Sequence, residues 1–128
     1  MRKIRIELLG ALLLLILINL TSCTNHSTYK GSRLYDFGTI KLEDTLYHTF
    51  YFTNTSSLPL EIIDVKANCS CTTLDYSKNP IKNGDSAYIK VRFVPNTTGA
   101  IEGLLVFEAN TKPPYNIVKI EGVVKDSL

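Results

Sequence analysis

The chain has 128 residues, 14 basic against 12 acidic side chains, a formal net charge of +2 and three cysteines. Arg2, Lys3 and Arg5 set against Glu7 make up that whole excess, so the remainder is neutral and offers no basic tract for nucleic acid. About a hundred residues beyond the first 22 suffice for one modest core, hence one domain.

The basic start leads into an apolar run from Leu8 to Ile18, followed by Leu20-Thr21-Ser22-Cys23. A charged opening, a short apolar segment and small residues form the layout of a secretory signal. The run falls short of the ~20 residues a spanning helix needs, and Asn19 interrupts it. Leu20 to Cys23 resembles the lipobox of bacterial lipoproteins. That resemblance implies cleavage between Ser22 and Cys23 and lipidation of the Cys23 sulfur, with acyl chains such as palmitate tying the protein to a membrane. One acyl chain holds only marginally, whereas two or more anchor stably. Thr24 follows in place of Asp, which resembles the outer-membrane class of lipoproteins facing the periplasm.

The expected organisation is a signal peptide over 1–22, a lipidated N-terminus and flexible tether over 23–33, and one β domain over 34–125. Assigning Cys23 to lipid leaves Cys69 and Cys71 as a pair in an oxidising compartment.

From Leu34 onward, apolar residues alternate at period two between turn clusters. Leu34 to Ile40 is the first run. In Thr45 to Thr53, Leu46, His48, Phe50 and Phe52 share one face while Tyr47, Thr49 and Tyr51 share the other. Leu60 to Val65 follows Asn54–Pro59, and Lys82-Asn83-Gly84-Asp85 is a strong turn because Asn-Gly accepts positive φ. Ser86 to Val94 places Ala87, Ile89, Val91 and Phe93 inward, with Tyr88, Lys90 and Arg92 outward. Ile101–Ala109 and Ile117–Val124 complete the set. The pattern predicts an all-β, immunoglobulin-like antiparallel two-sheet sandwich of about seven strands. The chain has no Trp and no widely spaced cysteine pair, so the sandwich is not of the antibody type.

Several pieces recur in a known order: Phe37-Gly38-Thr39-Ile40, His48 to Thr55, Pro59-Leu60-Glu61-Ile62, Asn68-Cys69-Ser70-Cys71-Thr72, Ile81 to Asp85, Ile89 to Phe93, and Ile120 to Val124. Together, over about Leu34 to Val124, they resemble a large family of bacterial envelope proteins known as a domain of unknown function. That family is related to immunoglobulin-like domains of the major-sperm-protein, cilia-associated and pilus-chaperone type. The resemblance implies the fold and no particular activity. Its members usually carry Gly or another small residue between the cysteines, where this chain has Ser70.

Cys69-Ser70-Cys71 is the one constellation with reactive chemistry. Residues i and i+2 of a strand share a face, so the two sulfurs can form a strained disulfide, structural or redox-active. They can also hold a soft metal such as Cu(I) or Zn, or pack as small apolar groups. A closed zinc site takes about four ligands, and only His26 and His48 are otherwise on offer; His26 falls in the tether and His48 on the apolar face. No Gly-x-Ser-x-Gly elbow is present, and no enzyme activity, cofactor or metal is expected. Tyr47, Tyr51 and Tyr88 point outward; exposed aromatics are enriched at binding surfaces, and single surface tyrosines are also common in sheets. Asp44-Thr45-Leu46, Asp85-Ser86-Ala87 and Asp126-Ser127-Leu128 resemble an O-glycosylation sequon. The expected role is a lipid-anchored interaction or structural module for another envelope protein, with neither nucleic acid nor a small-molecule substrate. The alternative is redox or copper handling through Cys69 and Cys71.

Overall fold

A computed structural model describes residues 2–18, 26–68 and 71–127. Helix α1, Arg2–Ile18, takes in the basic start and the Leu-rich run, whose residues are good helix formers. Its side chains are exposed from Arg5 to Ile16, and no described helix is long and apolar enough to cross a membrane. The expected cleavage and lipidation positions, Ser22 and Cys23, lie outside the described residues.

Among the described residues eight strands follow: β1 (Tyr29–Lys30), β2 (Leu34–Lys41), β3 (Leu46–Asn54), β4 (Ile62–Ala67), β5 (Cys71–Tyr76), β6 (Ser86–Phe93), β7 (Gly99–Ala109) and β8 (Tyr115–Lys125). They form two four-stranded sheets, ordered β1-β3-β6-β5 and β2-β8-β7-β4. The two inner faces supply one core. Phe50, Phe52, Ala87, Ile89, Val91 and Phe93 come from the first sheet, and Leu105, Phe107, Val118, Ile120 and Val124 from the second. The Phe52 and Phe107 rings meet across it with centroids 5.0 Å apart. Of the residues read on one face of β3 and β6, Phe50, Phe52, Ala87, Ile89, Val91 and Phe93 are buried and Leu46 and His48 half-buried, because a period of two admits only one set to the apolar side.

The sandwich is not wholly antiparallel, as the alternation alone suggested. β2 runs parallel to β8, from Leu34↔Lys119 to Lys41↔Lys125. The cause is a crossing of the chain between sheets. Tyr29 and Lys30 pair antiparallel with Asn54 and Thr53 of β3. The chain then passes through Gly31 and, without reversing, joins the other sheet alongside β8. A Cβ at Gly31 would collide with the Tyr51 carbonyl oxygen and the Phe52 ring, so only glycine passes this close to β3.

The flexible tether expected over 23–33 is also corrected at its C-terminal part. Ser27 is buried and forms a parallel bridge with Thr111, its N–H donating to the Asn110 carbonyl at 2.7 Å. Its Oγ lies 2.9 Å from Ser56 Oγ. Behind it, buried Asn54 donates from Nδ2 to the carbonyls of Leu58 and Ile81, both at 2.8 Å, and accepts at Oδ1 from the Ser56 N–H at 2.9 Å. Tyr29 packs edge-on against Phe52 at 5.1 Å and donates its hydroxyl to Asn116 Oδ1 at 2.8 Å. A segment held by hydrogen bonds carries no apolar period, which is why its sequence reads as a linker.

Candidate functional site

The register of β3 on β6 sets the outer face of the first sheet: Tyr47↔Arg92, Thr49↔Lys90, Tyr51↔Tyr88 and Thr53↔Ser86. The three outward tyrosines therefore share one surface, and Tyr51 stands directly beside Tyr88. Tyr47 and Tyr51 are 66% and 62% exposed. Strand β5 extends the surface, with Asp75 opposite Lys90. Tyr88 donates its hydroxyl to Asp75 Oδ2 at 2.9 Å. That bond holds the Asp75 carboxyl below its ordinary range, with help from Lys78 and Lys90, and raises the Tyr88 phenol. Lys78 Nζ sits 3.1 Å above the Tyr76 ring centre and Lys90 Nζ 5.3 Å from that of Tyr88. A shallow hollow of about 220 Å³ lies among Tyr47, Thr49, Leu74 and Lys90. The surface is aromatic and mainly basic, a chemistry suited to an acidic, extended partner.

β5 ends this sheet, so its outer backbone groups form an edge. A register shift between Thr73 and Asp75 turns Leu74 outward, half exposed. Thr73 Oγ1 is buried with no hydrogen-bond partner among the described residues. The edge begins at Cys71, which is 7% exposed, paired with Phe93 and part of the core. Cys69 and Ser70 lie outside the described residues. Among the described residues no group of three or more His, Cys, Asp or Glu could hold a metal ion.

His48 faces inward and bridges the sheets. Its ring stacks on Tyr35 of β2 with centroids 3.7 Å apart and meets Phe50 edge-on at 4.6 Å. Burial lowers its pKa, so the imidazole is held neutral. It is a packing group at the rim of the core, as its place among Leu46, Phe50 and Phe52 suggested.

A hollow of about 530 Å³ lies on the opposite outer face between the β2 irregularity and β7–β8, lined by Asp36, Thr39, Glu102, Glu121 and Val123 among others. Glu102 and Glu121 face each other in register, and Lys119 Nζ reaches both, at 3.2 and 3.5 Å. This acidic groove went unnoticed in the sequence because its carboxylates come from three strands, and only the β2–β8–β7 pairing gathers them.

The family model described as "Protein of unknown function (DUF1573)" matches residues 30–124. No curated protein matches the chain. Among solved structures, a protein of unknown function from Porphyromonas gingivalis W83 aligns with a TM-score of 0.68 at 17% identity, covering 80% of this chain and 50% of that one. The chain thus spans half the length of that relative. The secreted serine protease VesC from Vibrio cholerae aligns at 0.61 and 12% identity, over 78% of this chain and 23% of its own. The ASH/PapD-like domain 7 of human CEP192 aligns at 0.56 and 10% identity, over 85% and 92% respectively. At such identities these likenesses speak to the fold alone.

Proposed function

We propose the following role for a chain that belongs to the DUF1573 family, proteins of unknown function: it is a non-catalytic immunoglobulin-like module, lipid-anchored at Cys23 in the cell envelope, that engages another envelope protein. The observation that carries the interaction is the tyrosine-lined sheet face. Tyr47 and Tyr51, 66% and 62% exposed, stand beside Arg92 and Tyr88 on a sheet that ends in the β5 edge. Exposed Tyr and Arg are enriched at interfaces, and an edge strand takes up an extended segment by backbone pairing. Lys78, Lys90 and Arg92 against Asp75 favour an acidic segment. The anchor rests on the basic start, the Leu8–Ile18 run and Leu20-Thr21-Ser22-Cys23; Thr24 after the cysteine favours the outer membrane, facing the periplasm.

Absence of catalysis is supported by His48, whose ring is spent on stacking. The likeness to the protease VesC reaches only 23% of that chain, too little to bring a protease's activity with it. Cys69 and Cys71 take a structural part here, since Cys71 lies in the core. A Cys69→Ser, Cys71→Ser variant should melt earlier yet engage its partner. If it melts as the native protein does but loses Cu(I) binding or disulfide exchange, the copper or redox role replaces this one.

The test is site-specific photocrosslinking in intact cells. A probe at position 51 or 74 should give one discrete adduct, weakened by Arg92→Ala. Adducts obtained from position 117 on the opposite sheet, with none from 51 or 74, would reject the surface.

A further inference from the structure

Resting on the Cys23 lipid anchor proposed above, we infer that one end of the sandwich, built from loops 55–61, 77–85 and 110–114, faces the headgroups of the bilayer. The end bearing Cys71 then points away from it.

The first ground is where the chain enters the fold. Ser27 is 1% exposed, bridged to Thr111, bonded to the Asn110 carbonyl and in contact with Ser56. Only Thr24, Asn25 and His26 separate it from Cys23. Four Cα–Cα steps reach at most about 14 Å when fully extended.

The second ground is which end that is. Thr111 lies in the β7–β8 loop and Ser56 in the β3–β4 loop. Asn54, beside them, accepts the Gly84 N–H at its carbonyl and donates to the Ile81 carbonyl, both in the β5–β6 loop. The three loops and the entry point therefore close one end together. Cys71 and Leu46 both pair with Phe93, at the far end of β6 from the Thr53↔Ser86 pair. Cys71, where β5 starts, is thus at the opposite end, with the turns at 42–45 and 94–98.

The third ground is length. β7 and β8 have 11 residues each, about 36 Å at ~3.3 Å per residue. A spacer less than half as long cannot let the far end turn down to the surface. Lying on either sheet face would press the Asp36, Glu102 and Glu121 groove onto the headgroups or cover the tyrosine face. End-on docking avoids both and places Lys82 and Lys112 next to lipid phosphates, against Glu61 and Asp85. The tyrosine face and the β5 edge then rise from the membrane, open along their length.

Hydrogen exchange by mass spectrometry tests this on the lipidated protein in nanodiscs of phosphatidylethanolamine and phosphatidylglycerol, against the Cys23→Ala chain in solution. Intact mass comes first. Absence of acyl mass defeats the anchor itself, apart from any orientation. With acyl mass present, exchange should slow at 55–58, 78–85 and 110–112 and stay unchanged at 42–45 and 94–98. Unchanged near loops, slowing at the far turns, or slowing confined to 71–76 would overturn the orientation. Inserting about twelve Gly and Ser residues between Asn25 and His26 lengthens the reach of the spacer. That variant should keep its acyl mass and lose the slowing; slowing that persists would show that the short spacer does not set the posture.

Discussion

His48 shows how one titratable ring can hold two sheets together and be vulnerable for the same reason. Its face lies on Tyr35 and its edge meets Phe50, and burial lowers its pKa below the ordinary 6.5. The unfolded chain therefore takes up a proton at that site before the folded one does. Stability from the neutral ring is complete above pH 6.5 and falls as pH drops through the lower folded value. His48→Phe keeps an aromatic plate between Tyr35 and Phe50 and removes the proton, so its Tm should change less between pH 7 and pH 5 than that of the native protein. An equal loss in both, followed by thermal melts across that range, would mean that other groups set the acid limit. The Asp75–Tyr88 pair behaves in the opposite spirit. Asp75 is held below its ordinary 3.8 first by the Tyr88 hydroxyl, and Tyr88 is raised above 10.0 by Asp75. Both shifts favour the folded state between those values, and the gain fades as pH falls through the depressed Asp75 value or rises through the raised Tyr88 value. Tyr88→Phe should melt slightly below the native protein at pH 7, and the two melting temperatures should converge as the pH is taken under 3.8. A gap that persists in acid would assign the loss to packing.

At the level of elements, the crossing from β1 to β2 is the most exacting stretch of the chain. A methyl group on Gly31 has nowhere to go, because the Tyr51 carbonyl is backbone and the Phe52 ring is fixed in the core. Gly31→Ala should cost about 1–3 kcal/mol, the range for overpacking a close-packed site, measurable as a lower urea midpoint. Asn54→Ala takes one donor from each of the Leu58 and Ile81 carbonyls and releases the turn around Ser56. Its cost should be about 1–3 kcal/mol, with earlier proteolysis in 55–59 than elsewhere as the sign that the latch has opened. These two residues also mark the limit of what the sequence disclosed. β3 and β6 were legible because alternation is local: Phe50, Phe52, Ile89 and Val91 declare their face within a few residues. The parallel β2–β8 pairing joins Leu34 to Lys119, and no local period encodes a partner so distant. The tyrosine face was legible as three outward residues, but not as one surface until the Tyr51↔Tyr88 register brought them together. The Cys69–Cys71 pair stays a matter of sequence, with only Cys71 described and found in the core.

For the molecule as a whole, the boundary of the domain decides how much of the chain must be present for it to fold well. Reading the apolar period alone starts the sandwich at Leu34. The structure begins it at Ser27, and the added residues reach both sheets. Tyr29 lies 5.1 Å from Phe52 of one sheet and 5.8 Å from Phe107 of the other, and its hydroxyl reaches Asn116 on β8. Removing 26–33 uncovers that side of the Phe52–Phe107 contact, leaves Asn116 Oδ1 without the Tyr29 hydroxyl and strips β3 of its only partner strand on that edge among the described residues. Burial of most of one tyrosine ring and the loss of two or three buried hydrogen bonds together amount to about 3 kcal/mol. For a domain of about a hundred residues that is roughly 12–24 °C in Tm. A chain starting at His26 should therefore melt as a single cooperative unit well above one starting at Leu34, by calorimetry of the two side by side. Equal melting temperatures would make Ser27–Lys30 a passive strap laid over a sandwich already complete. The expected difference makes it part of the fold.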